Sequence, residues 1–314
     1  SSKDRELICF SEEEAHICTV FEKKGILHKI DMHLRKNKTK GIAIDGVPIR
    51  KASELFGLIH FVFFSPEDLS IIKNGPAERR HFLDSELCQL DKVYLYQLSN
   101  YNKVVLQRNK LLKELYLHPD YREVLDVLDM QLVQYGSALI QRRQTFAEEL
   151  GEIVHRIHSQ LSGGQEEMEL KYEPNVTVDA FAQMLFSNRE RDMRLKTTAT
   201  GPHRDDISFV VNGVDIRKFG SQGQQRTAAL SLKLSEIELV KRLIGDTPVL
   251  LLDDVLSELD SGRQNYLLNS IENIQTLITC TGLDEFVNHR FSINRIYKVT
   301  DGSVTVENKQ EADR

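Results

Sequence analysis

Two adjacent carboxylates, Asp253 and Asp254, stand directly after an apolar run and are placed for phosphate chemistry. The run is Val249-Leu250-Leu251-Leu252. Because it is apolar on both faces, it predicts a strand buried between layers, usually in a parallel sheet. Ligands of open α/β sheets bind beyond the carboxyl ends of the strands, where the two acids would meet Mg²⁺ and a nucleotide phosphate. The alternative is a core strand followed by a solvated acidic turn.

The segments on either side of this acid pair favour the chemical interpretation. Val255-Leu256-Ser257-Glu258-Leu259-Asp260 follows the pair. Ser221-Gln222-Gly223-Gln224-Gln225-Arg226 precedes it and opens a long amphipathic segment that ends near Gly245. This is the order of signature, helix, Walker B strand and D-loop in the ATP-binding-cassette ATPases. Three motifs in the right order are far more specific than any one of them.

The form of these motifs resembles one family in particular. The Ser-Gln-Gly-Gln-Gln-Arg signature and the Asp-Asp pair are similar to those of the RecF family, the SMC-like recombination and repair ATPases of bacteria. Ser65-Pro66-Glu67-Asp68-Leu69 and Thr200-Gly201-Pro202-His203-Arg204-Asp205 also resemble stretches of that family. The resemblance implies an α/β fold: an ATPase head of the ABC/SMC type, with a P-loop NTPase-like sheet, an antiparallel β layer and an inserted helical arm.

The resemblance also implies a role for each motif residue. Asp253 would hold Mg²⁺. Asp254 stands where cassette ATPases usually place the glutamate that polarises the attacking water, and its shorter side chain leads us to expect slow turnover. The residues that would contact ATP held by a second subunit are Ser221, Gln222, Gly223, Gln224, Ser257 and Asp260. The nucleotide site would then be complete only in an ATP-dependent homodimer. The strand end that usually precedes a switch histidine carries Thr279 and Thr281 instead, and the nearest later histidine is His289.

A second glycine motif, Leu161-Ser162-Gly163-Gly164-Gln165, matches the signature of transporter cassettes literally. In that role it would open a helix and be followed by a Walker B strand within about 30 residues. The sequence that follows is instead rich in glutamate and leads to Leu170-Lys171-Tyr172-Glu173-Pro174. We therefore interpret the motif as a glycine-terminated helix that leads into a strand.

The phosphate-binding loop Gly-x-x-x-x-Gly-Lys-Ser/Thr does not occur in these 314 residues. That loop and its lysine are indispensable to the chemistry implied by the other motifs. The resemblance begins just after the point where the family has this loop, and the chain has no initiating methionine. We interpret the chain as an N-terminally truncated member of the family, inactive alone; a degenerate member that lost ATP binding is the alternative. The intact protein, with a phosphate-binding loop ahead of Ser1, is expected to be a weak DNA-stimulated ATPase.

Three segments are predicted along the chain. Residues 1–84 form a β-rich N-terminal part of the head, 85–199 a helical arm with a connecting segment, and 200–314 the C-terminal part of the head. From Ser85 to about Gln160, apolar residues at three- and four-residue spacing predict two long helices joined at Leu117-His118-Pro119-Asp120. They would form an antiparallel pair; the alternative is an ordinary helical bundle on the sheet. Turn signals predict four hairpins, at Lys24-Gly25, Asp45-Gly46, Asn212-Gly213 and Asp301-Gly302.

Composition restricts the classes of function. The chain is 40% hydrophobic and 28% charged, which is typical of a soluble globular protein. No apolar run approaches the length of a membrane span, so neither a membrane partner nor a membrane location is predicted. The four cysteines lie far apart and form no metal-ligand pair, which fits a reducing cytoplasm.

The net charge of −6 means that any DNA-binding surface must be a local basic patch. The predicted contacts are Lys73, Arg79 and Arg80. Weaker candidates are Arg189, Arg191 and Arg194. The alternative for Arg79 and Arg80 is that they pair with nearby acids such as Glu78 and Asp84 and merely fix the base of the arm.

Taken together, the motifs predict a RecF-like DNA-binding ATPase of recombinational repair and replication restart. By resemblance, it would form an ATP-dependent dimer on double-stranded and gapped DNA and work with recombination mediator proteins to load recombinase. Another SMC-like head, from a chromosome-organising complex, would have far longer arms than 85–160. The alternative from a different class is a structural DNA clamp without significant ATP turnover.

Overall fold

The computed structural model describes residues 4–114, 122–281 and 293–307. They form two compact units. The first unit consists of the described residues within Ser1–His60, His81–Arg143 and Val176–His203, and the second of those within Phe61–Arg80, Gln144–Asn175 and Arg204–Arg314. The limits of the three segments predicted from the sequence stay a prediction.

Strands and helices are interspersed along the chain. The strands are β1 (Glu14–Lys23), β2 (Ile26–Arg35), β3 (Gly41–Ile44), β4 (Val47–Pro48), β5 (Phe61–Phe64), β6 (Met168–Glu173), β7 (Asp206–Val211), β8 (Val214–Asp215), β9 (Val249–Asp253), β10 (Thr276–Thr279), β11 (Ile296–Thr300) and β12 (Ser303–Glu307). The α-helices are α1 (Leu69–Lys73), α2 (Pro76–Leu90), α3 (Lys92–Glu114), α4 (Arg122–Leu161), α5 (Val178–Ser187), α6 (Arg189–Leu195), α7 (Ile216–Phe219), α8 (Gln222–Ile244) and α9 (Ser261–Ser270).

All four predicted hairpins are present. In the first unit β1, β2, β3 and β4 form one antiparallel sheet, and in the second unit β7 pairs with β8 and β11 with β12. Each turn has two residues at positive φ, a backbone whose twist matches that of the flanking strands. These turns are Lys24-Gly25, Asp45-Gly46, Asn212-Gly213 and Asp301-Gly302. Glycine adopts positive φ without steric cost, which explains its place at the second position.

The predicted antiparallel helix pair is formed in the first unit by α3 and the first part of α4. Arg142 lies near the middle of α4 and donates from Nε to Asp91 Oδ2 at 3.2 Å, and Asp91 lies just before the start of α3. Arg108 lies near the end of α3 and donates from Nε to Asp129 Oδ1, near the start of α4, at 2.6 Å. The start of α3 thus contacts a later part of α4, and the end of α3 contacts the start of α4, so the two helices are antiparallel. The turn predicted at 117–120 lies outside the described residues.

The helices differ from the prediction in their limits. Helix α2 begins at Pro76, before the predicted start at Ser85, because proline fits the first turn of a helix. Asp91 then interrupts the helical run: its Oδ1 accepts from the backbone N–H groups of Val93 and Tyr94 and so caps α3. Residues 122–143 of α4 belong to the first unit and residues 144–161 to the second.

The centre of the first unit contains a buried charged cluster around Arg108. The guanidinium is fully buried and bonds Asp129 on α4 and, from Nη1, Asp192 Oδ2 at 2.7 Å. The same Nη1 also donates to Thr198 Oγ1 at 3.0 Å. A buried charge is tolerated only when it is paired and hydrogen-bonded. This arrangement explains why the apolar series of α3 is broken at Arg108.

The second unit contains a parallel sheet in the order β10-β9-β5. Leu250 and Leu252 of β9 are buried, but Val249 and Leu251 are half-buried. Phe61 and Phe63 of β5 are 39% and 48% exposed. The parallel strand predicted at Val249-Leu250-Leu251-Leu252 is confirmed, whereas its predicted burial on both faces is wrong for the described residues, because the side chains on one face are only half-buried.

Helix α8 lies beside this sheet in the second unit and is buried on all sides from Thr227 to Ile237. The prediction of an amphipathic helix is therefore wrong for this part of α8. Several of its polar side chains have partners within the helix: Lys233 Nζ lies 2.5 Å from Glu236 Oε2 in an ion pair. Ser235 Oγ donates to the carbonyl of Ser231 at 2.6 Å. Internal pairing of this kind lets polar residues occupy a core helix.

Candidate nucleotide site

The end of β9 places Asp253 at the exposed carboxyl edge of the parallel sheet. Thr279, at the end of the neighbouring strand β10, donates from Oγ1 to Asp253 Oδ1 at 2.5 Å. This bond fixes the carboxylate while leaving Oδ2 for a ligand. Mg²⁺ is usually held by one or two carboxylates together with phosphate oxygens and water. No group of three His, Cys, Asp or Glu side chains in the described ranges is arranged to hold a metal, so a single carboxylate fits only this water- and phosphate-rich mode.

Asp254 follows in a left-handed backbone conformation, with φ of 52°. Such a conformation is uncommon for residues other than glycine, although aspartate and asparagine adopt it more often than most. The Asp254 N–H donates to the Thr279 carbonyl at 3.1 Å, which holds the turn against β10. The carboxylate oxygen Oδ1 of Asp254 is buried and accepts no hydrogen bond from the described residues. A buried acceptor in this state is costly unless a donor such as water reaches it.

The D-loop is linked by hydrogen bonds to this acidic turn. Ser257 Oγ donates to the carbonyl of Asp254 at 2.8 Å. Asp260 caps α9: its Oδ1 accepts the N–H of Arg263 at 3.0 Å, and Oδ2 bonds the Arg263 guanidinium. The backbone N–H and the charge of Arg263 hold the pKa of the Asp260 carboxyl below its ordinary value. Both Ser257 and Asp260 are exposed.

The signature residues form the first turn of α8. Ser221 is the N-cap: its Oγ accepts the N–H of Gln224 at 3.2 Å, and Gln224 Oε1 accepts the N–H of Ser221 at 3.0 Å. This reciprocal capping box fixes the turn and leaves the hydroxyl hydrogen of Ser221 available. Ser221, Gln222 and Gly223 are exposed, so the free N–H groups of the first turn face solvent. The arrangement is suited to an anion.

Two contacts in the second unit connect the signature helix with the D-loop and with α9, the helix that follows it. Arg226 of α8 lies 3.5 Å from Glu258 in an ion pair. Arg263 of α9 donates from Nη2 to Thr227 Oγ1 of α8 at 2.6 Å. The motifs that sequence analysis singled out are therefore joined by direct contacts rather than scattered over the unit.

The second glycine motif ends α4 and does not open a helix. Gly163 and Gly164 have φ of 63° and 78°, and the Gly164 N–H donates to the Ser159 carbonyl at 2.7 Å. This is a glycine-terminated helix end, and β6 follows at Met168. The interpretation drawn from the sequence is confirmed.

The residues predicted to contact DNA lie in different environments. Lys73 is exposed at the last position of α1. Arg79 is 1% exposed and donates from Nε and Nη2 to Asp206 at 2.6 and 3.0 Å. Arg80 is half-buried and donates to the Asp205 carbonyl at 2.8 Å. Burial leaves Arg79 no surface for a phosphate, so the structure favours the structural alternative for Arg79, with Asp206 as the partner in place of Glu78 or Asp84.

The weaker basic candidates belong to the first unit. Arg189 pairs with Asp126 at 2.6 Å and Asp129 at 2.7 Å and lies over the Phe186 ring. Arg191 and Arg194 are exposed on α6. Two of these three side chains thus remain accessible to a phosphate, whereas Arg189 is held by carboxylates.

Two functional contacts were missed by the sequence analysis. The Thr279 hydroxyl bonds the predicted metal ligand, although only its position at a strand end had been noted. Glu166, directly after the second glycine motif, accepts a hydrogen bond from Gln224 at 2.9 Å across 58 residues of sequence. No local pattern predicts a contact of that separation.

The chain is similar to known proteins in its fold and in its sequence. A scan against protein-family models found no match. A solved SMC head bound to the C-terminal winged-helix domain of ScpA has a TM-score of 0.50 at 12% identity, covering 96% of this chain and 76% of that one. At such identity the likeness concerns the fold alone. The parallel sheet and the capped helix α8, together with this likeness, give the chain the fold of the ABC/SMC-type heads.

Relatives of higher sequence identity show which family within this fold class the chain belongs to. The DNA replication and repair protein RecF of Lachnospira eligens is 60% identical over 309 residues, which cover 98% of this chain and 85% of that protein. The solved structure of the recombination mediator protein RecF with ATP has a TM-score of 0.89 at 34% identity, covering 98% of this chain and 83% of that chain. The chain belongs to the RecF family. None of the described helices is long and apolar enough to span a membrane.

Proposed function

We propose that this protein is a DNA-binding ATPase of recombinational repair and replication restart, acting in the cytoplasm. The observation that carries the proposal is the acid pair at the end of β9, in which Asp254 keeps a buried carboxylate oxygen without a hydrogen-bond donor among the described residues. Asp254 follows the exposed Asp253, and its backbone carbonyl, not this side-chain oxygen, accepts the hydrogen bond from Ser257 of the D-loop. Membership of the RecF family, whose relatives include one solved with ATP, supports the same function.

Each residue of the site has a defined part in this proposal. Mg²⁺, when bound, neutralises charge on the nucleotide phosphates. Asp253 would hold it through Oδ2, because Oδ1 is occupied by Thr279. Asp254 would orient the attacking water through its unbonded Oδ1. An aspartate is one methylene shorter than the usual glutamate, so we expect slow turnover.

The signature and D-loop would act on ATP bound by a second subunit. The exposed turn Ser221-Gln222-Gly223 presents the free N–H groups of Gln222 and Gly223 and the positive end of the α8 dipole, which suits a γ-phosphate. The available hydroxyl hydrogen of Ser221 adds one more donor. Because Ser257 and Asp260 are also exposed, they are placed to meet the same partner. This arrangement supports an ATP-dependent homodimer, in which Gln224, predicted as a nucleotide contact, would instead fix the turn through the capping box.

DNA would be bound through accessible basic residues on the described surface. Lys73 is the strongest of these because it is exposed, and Arg80, which is half-buried and donates to the Asp205 carbonyl, is the second. Double-stranded and gapped DNA are the proposed substrates. The solved relative is described as a recombination mediator in the RecFOR pathway, which supports mediator proteins and recombinase as partners.

A structural DNA clamp without significant turnover is the alternative function. It is favoured by one observation, the replacement of the usual glutamate by Asp254. ATP hydrolysis by the intact protein with and without DNA separates the two functions: DNA-stimulated release of phosphate supports the ATPase, and its absence supports the clamp.

The dimer is tested by sedimentation of the intact protein with and without ATP. Ser221→Arg places bulk and positive charge in the anion-binding turn, so we expect ATP binding to persist and dimerisation to be lost. Ser270→Arg adds the same charge to an exposed serine of α9 and serves as the matched control. Normal ATP-dependent dimerisation of Ser221→Arg would contradict the role of the signature in trans.

A further inference from the structure

The end of α4 brings Glu166 to the signature turn within the second unit. After the helix ends at Gly163 and Gly164, Ser162 Oγ accepts the N–H of Glu166 at 3.1 Å. The Glu166 side chain is 22% exposed. Its Oε1 accepts from Gln224 Nε2 at 2.9 Å. The second glycine motif therefore has a definite structural consequence, the placement of one carboxylate.

Glu166 bonds the side chain of Gln224, which also closes the capping box at Ser221. Gln224 uses its Oε1 for the N–H of Ser221 and its Nε2 for Glu166, so the amide is fixed at both ends. An amide held in this way cannot rotate without breaking two hydrogen bonds. The exposed turn at Ser221 is thus preorganised by a residue outside the signature.

His158 fixes Glu166 in turn. The ring is fully buried, with Nε2 3.2 Å from Glu166 Oε2 and Nδ1 2.9 Å from Ser231 Oγ of α8. Two bare acceptors would repel, so Nε2 carries a hydrogen towards the carboxylate. Burial lowers the pKa of His158, and the charges of Arg263 and His155 lower it further. Glu166 acts in the opposite direction, but the net effect lowers the pKa and so favours the neutral ring. A neutral ring with hydrogen on Nε2 then accepts at Nδ1 from the Ser231 hydroxyl, whose single hydrogen is shared with the Thr227 carbonyl at 2.8 Å.

These bonds form a closed loop between the last turns of α4 and the first three turns of α8. The loop runs from Ser231 to His158, to Glu166 and to Gln224, and α8 itself joins Gln224 to Ser231. Polar networks of this kind are rigid when every member is satisfied. A displacement of α4 would therefore be carried to the signature turn through Glu166.

We propose that Glu166 is a positioning residue that fixes the signature turn for the nucleotide of a second subunit and couples it to α4. This inference rests on the proposed function of the signature. Glu166 does not itself touch the nucleotide. Its effect is the preorganisation of the Ser221 hydroxyl and of the free N–H groups of Gln222 and Gly223, which reduces the ordering needed when two subunits close on ATP.

Three variants of the intact protein test the proposal. Glu166→Ala removes the acceptor for Gln224. Glu166→Gln keeps a carbonyl oxygen that can accept from Gln224. Its new NH₂ group can donate to His158 Nε2 if the ring hydrogen moves to Nδ1. That tautomer is allowed because the Ser231 oxygen can then accept from Nδ1 while its hydroxyl hydrogen bonds the Thr227 carbonyl. Glu167→Ala is the matched control, because that neighbouring side chain is exposed.

Hydrogen exchange without nucleotide reports the turn directly, and sedimentation with ATP reports dimerisation. For Glu166→Ala we expect the N–H groups of Ser221 and Gln224 to exchange about tenfold faster and the dimer to weaken about tenfold, the size of one lost hydrogen bond to a charged group. Binding of ATP to the monomer should be unchanged. Glu166→Gln should restore most of both effects, and Glu167→Ala should resemble the wild type.

The two readouts separate the possible failures. Unchanged exchange in Glu166→Ala overturns the positioning role whatever happens to the dimer. Faster exchange with unchanged dimerisation supports positioning and overturns the action of the signature in trans. A Glu166→Gln variant as defective as Glu166→Ala would also overturn the proposal, because the negative charge and not the hydrogen bond to Gln224 would then matter.

Discussion

The most direct test of the structure is the replacement of Arg79, a residue for which the sequence left two roles open. Arg79 donates two hydrogen bonds to Asp206, and its Nη1 donates to the carbonyls of Asn74 at 2.7 Å and Ile71 at 3.3 Å. The guanidinium thus joins the loop after α1 to the start of β7 within the second unit. Arg79→Ala removes all four bonds and leaves the Asp206 carboxylate without its counter-ion.

The expected loss of stability can be worked from these contacts. Breaking a buried ion pair by removing one partner costs about 3–5 kcal/mol. The Asp206 side chain is 23% exposed, and its Oδ1 also accepts the N–H of Ile207 at 2.8 Å. Water and that N–H partly replace Arg79, which places the loss at the low end, about 3 kcal/mol of unfolding free energy. Asn74 is exposed, so its carbonyl adds little.

Urea denaturation of Arg79→Ala, Asp206→Asn and the double variant measures this quantity. We expect the double variant to lose less than the two single losses added together, since the second change no longer leaves a charge unpaired. Lys73→Ala is the matched control for loss of a positive charge in the same segment, with a change within about 0.5 kcal/mol. A loss below about 1 kcal/mol in Arg79→Ala, together with a reduced salt dependence of DNA binding, would refute the structural role.

Three further predictions concern charge, catalysis and pH. Lys73→Ala should lower the slope of log K against log salt on duplex DNA by about 0.9, as measured by titrations in ATP; an unchanged slope moves the DNA surface elsewhere. Asp254→Asn should trap the ATP-bound dimer, because hydrolysis stops while Asp253 still binds metal, and sedimentation showing only monomer would contradict this role. Burial lowers the pKa of His158, so the unfolded chain takes up a proton that the folded protein does not as pH falls through about 6.5. The wild type should therefore lose stability towards pH of about 5.5, and His158→Gln should lose less in parallel urea titrations; equal losses would contradict the shift.

Features set by neighbouring residues were predictable from the sequence. The four hairpins depend on two-residue turns with glycine at the second position, and each formed with the expected geometry. The parallel strands β5 and β9 follow from short apolar runs. The cap at Ser221 follows from a serine three residues before glutamine, the pattern of a capping box. In each case the physical cause lies within a few residues of chain.

Features set by distant residues were not predictable in this way. Arg79 and Asp206 are separated by 127 positions, so the sequence offered Glu78 and Asp84 as nearer partners. The apolar run Val249-Leu250-Leu251-Leu252 predicted burial on both faces, but burial depends on what covers each face of the sheet, which no periodicity specifies. Likewise, α8 can be buried on all sides from Thr227 to Ile237 because the hydroxyls of Ser231 and Ser235 donate to backbone carbonyls one turn earlier in the helix.

The two glycine motifs show why position on a helix matters more than the match of letters. Ser162 lies beyond the last turn of α4, where carbonyl groups and the negative end of the helix dipole face outwards, so an anion is not favoured there. Ser221 lies before the first turn of α8, where free N–H groups and the positive end do favour one. The positive φ of Gly163 and Gly164 ends one helix, whereas Gly223 is part of the first turn of the other. The motif at residues 161–165, although it matches a transporter signature literally, therefore has a supporting part: it places Glu166, which bonds Gln224 in the first turn of α8.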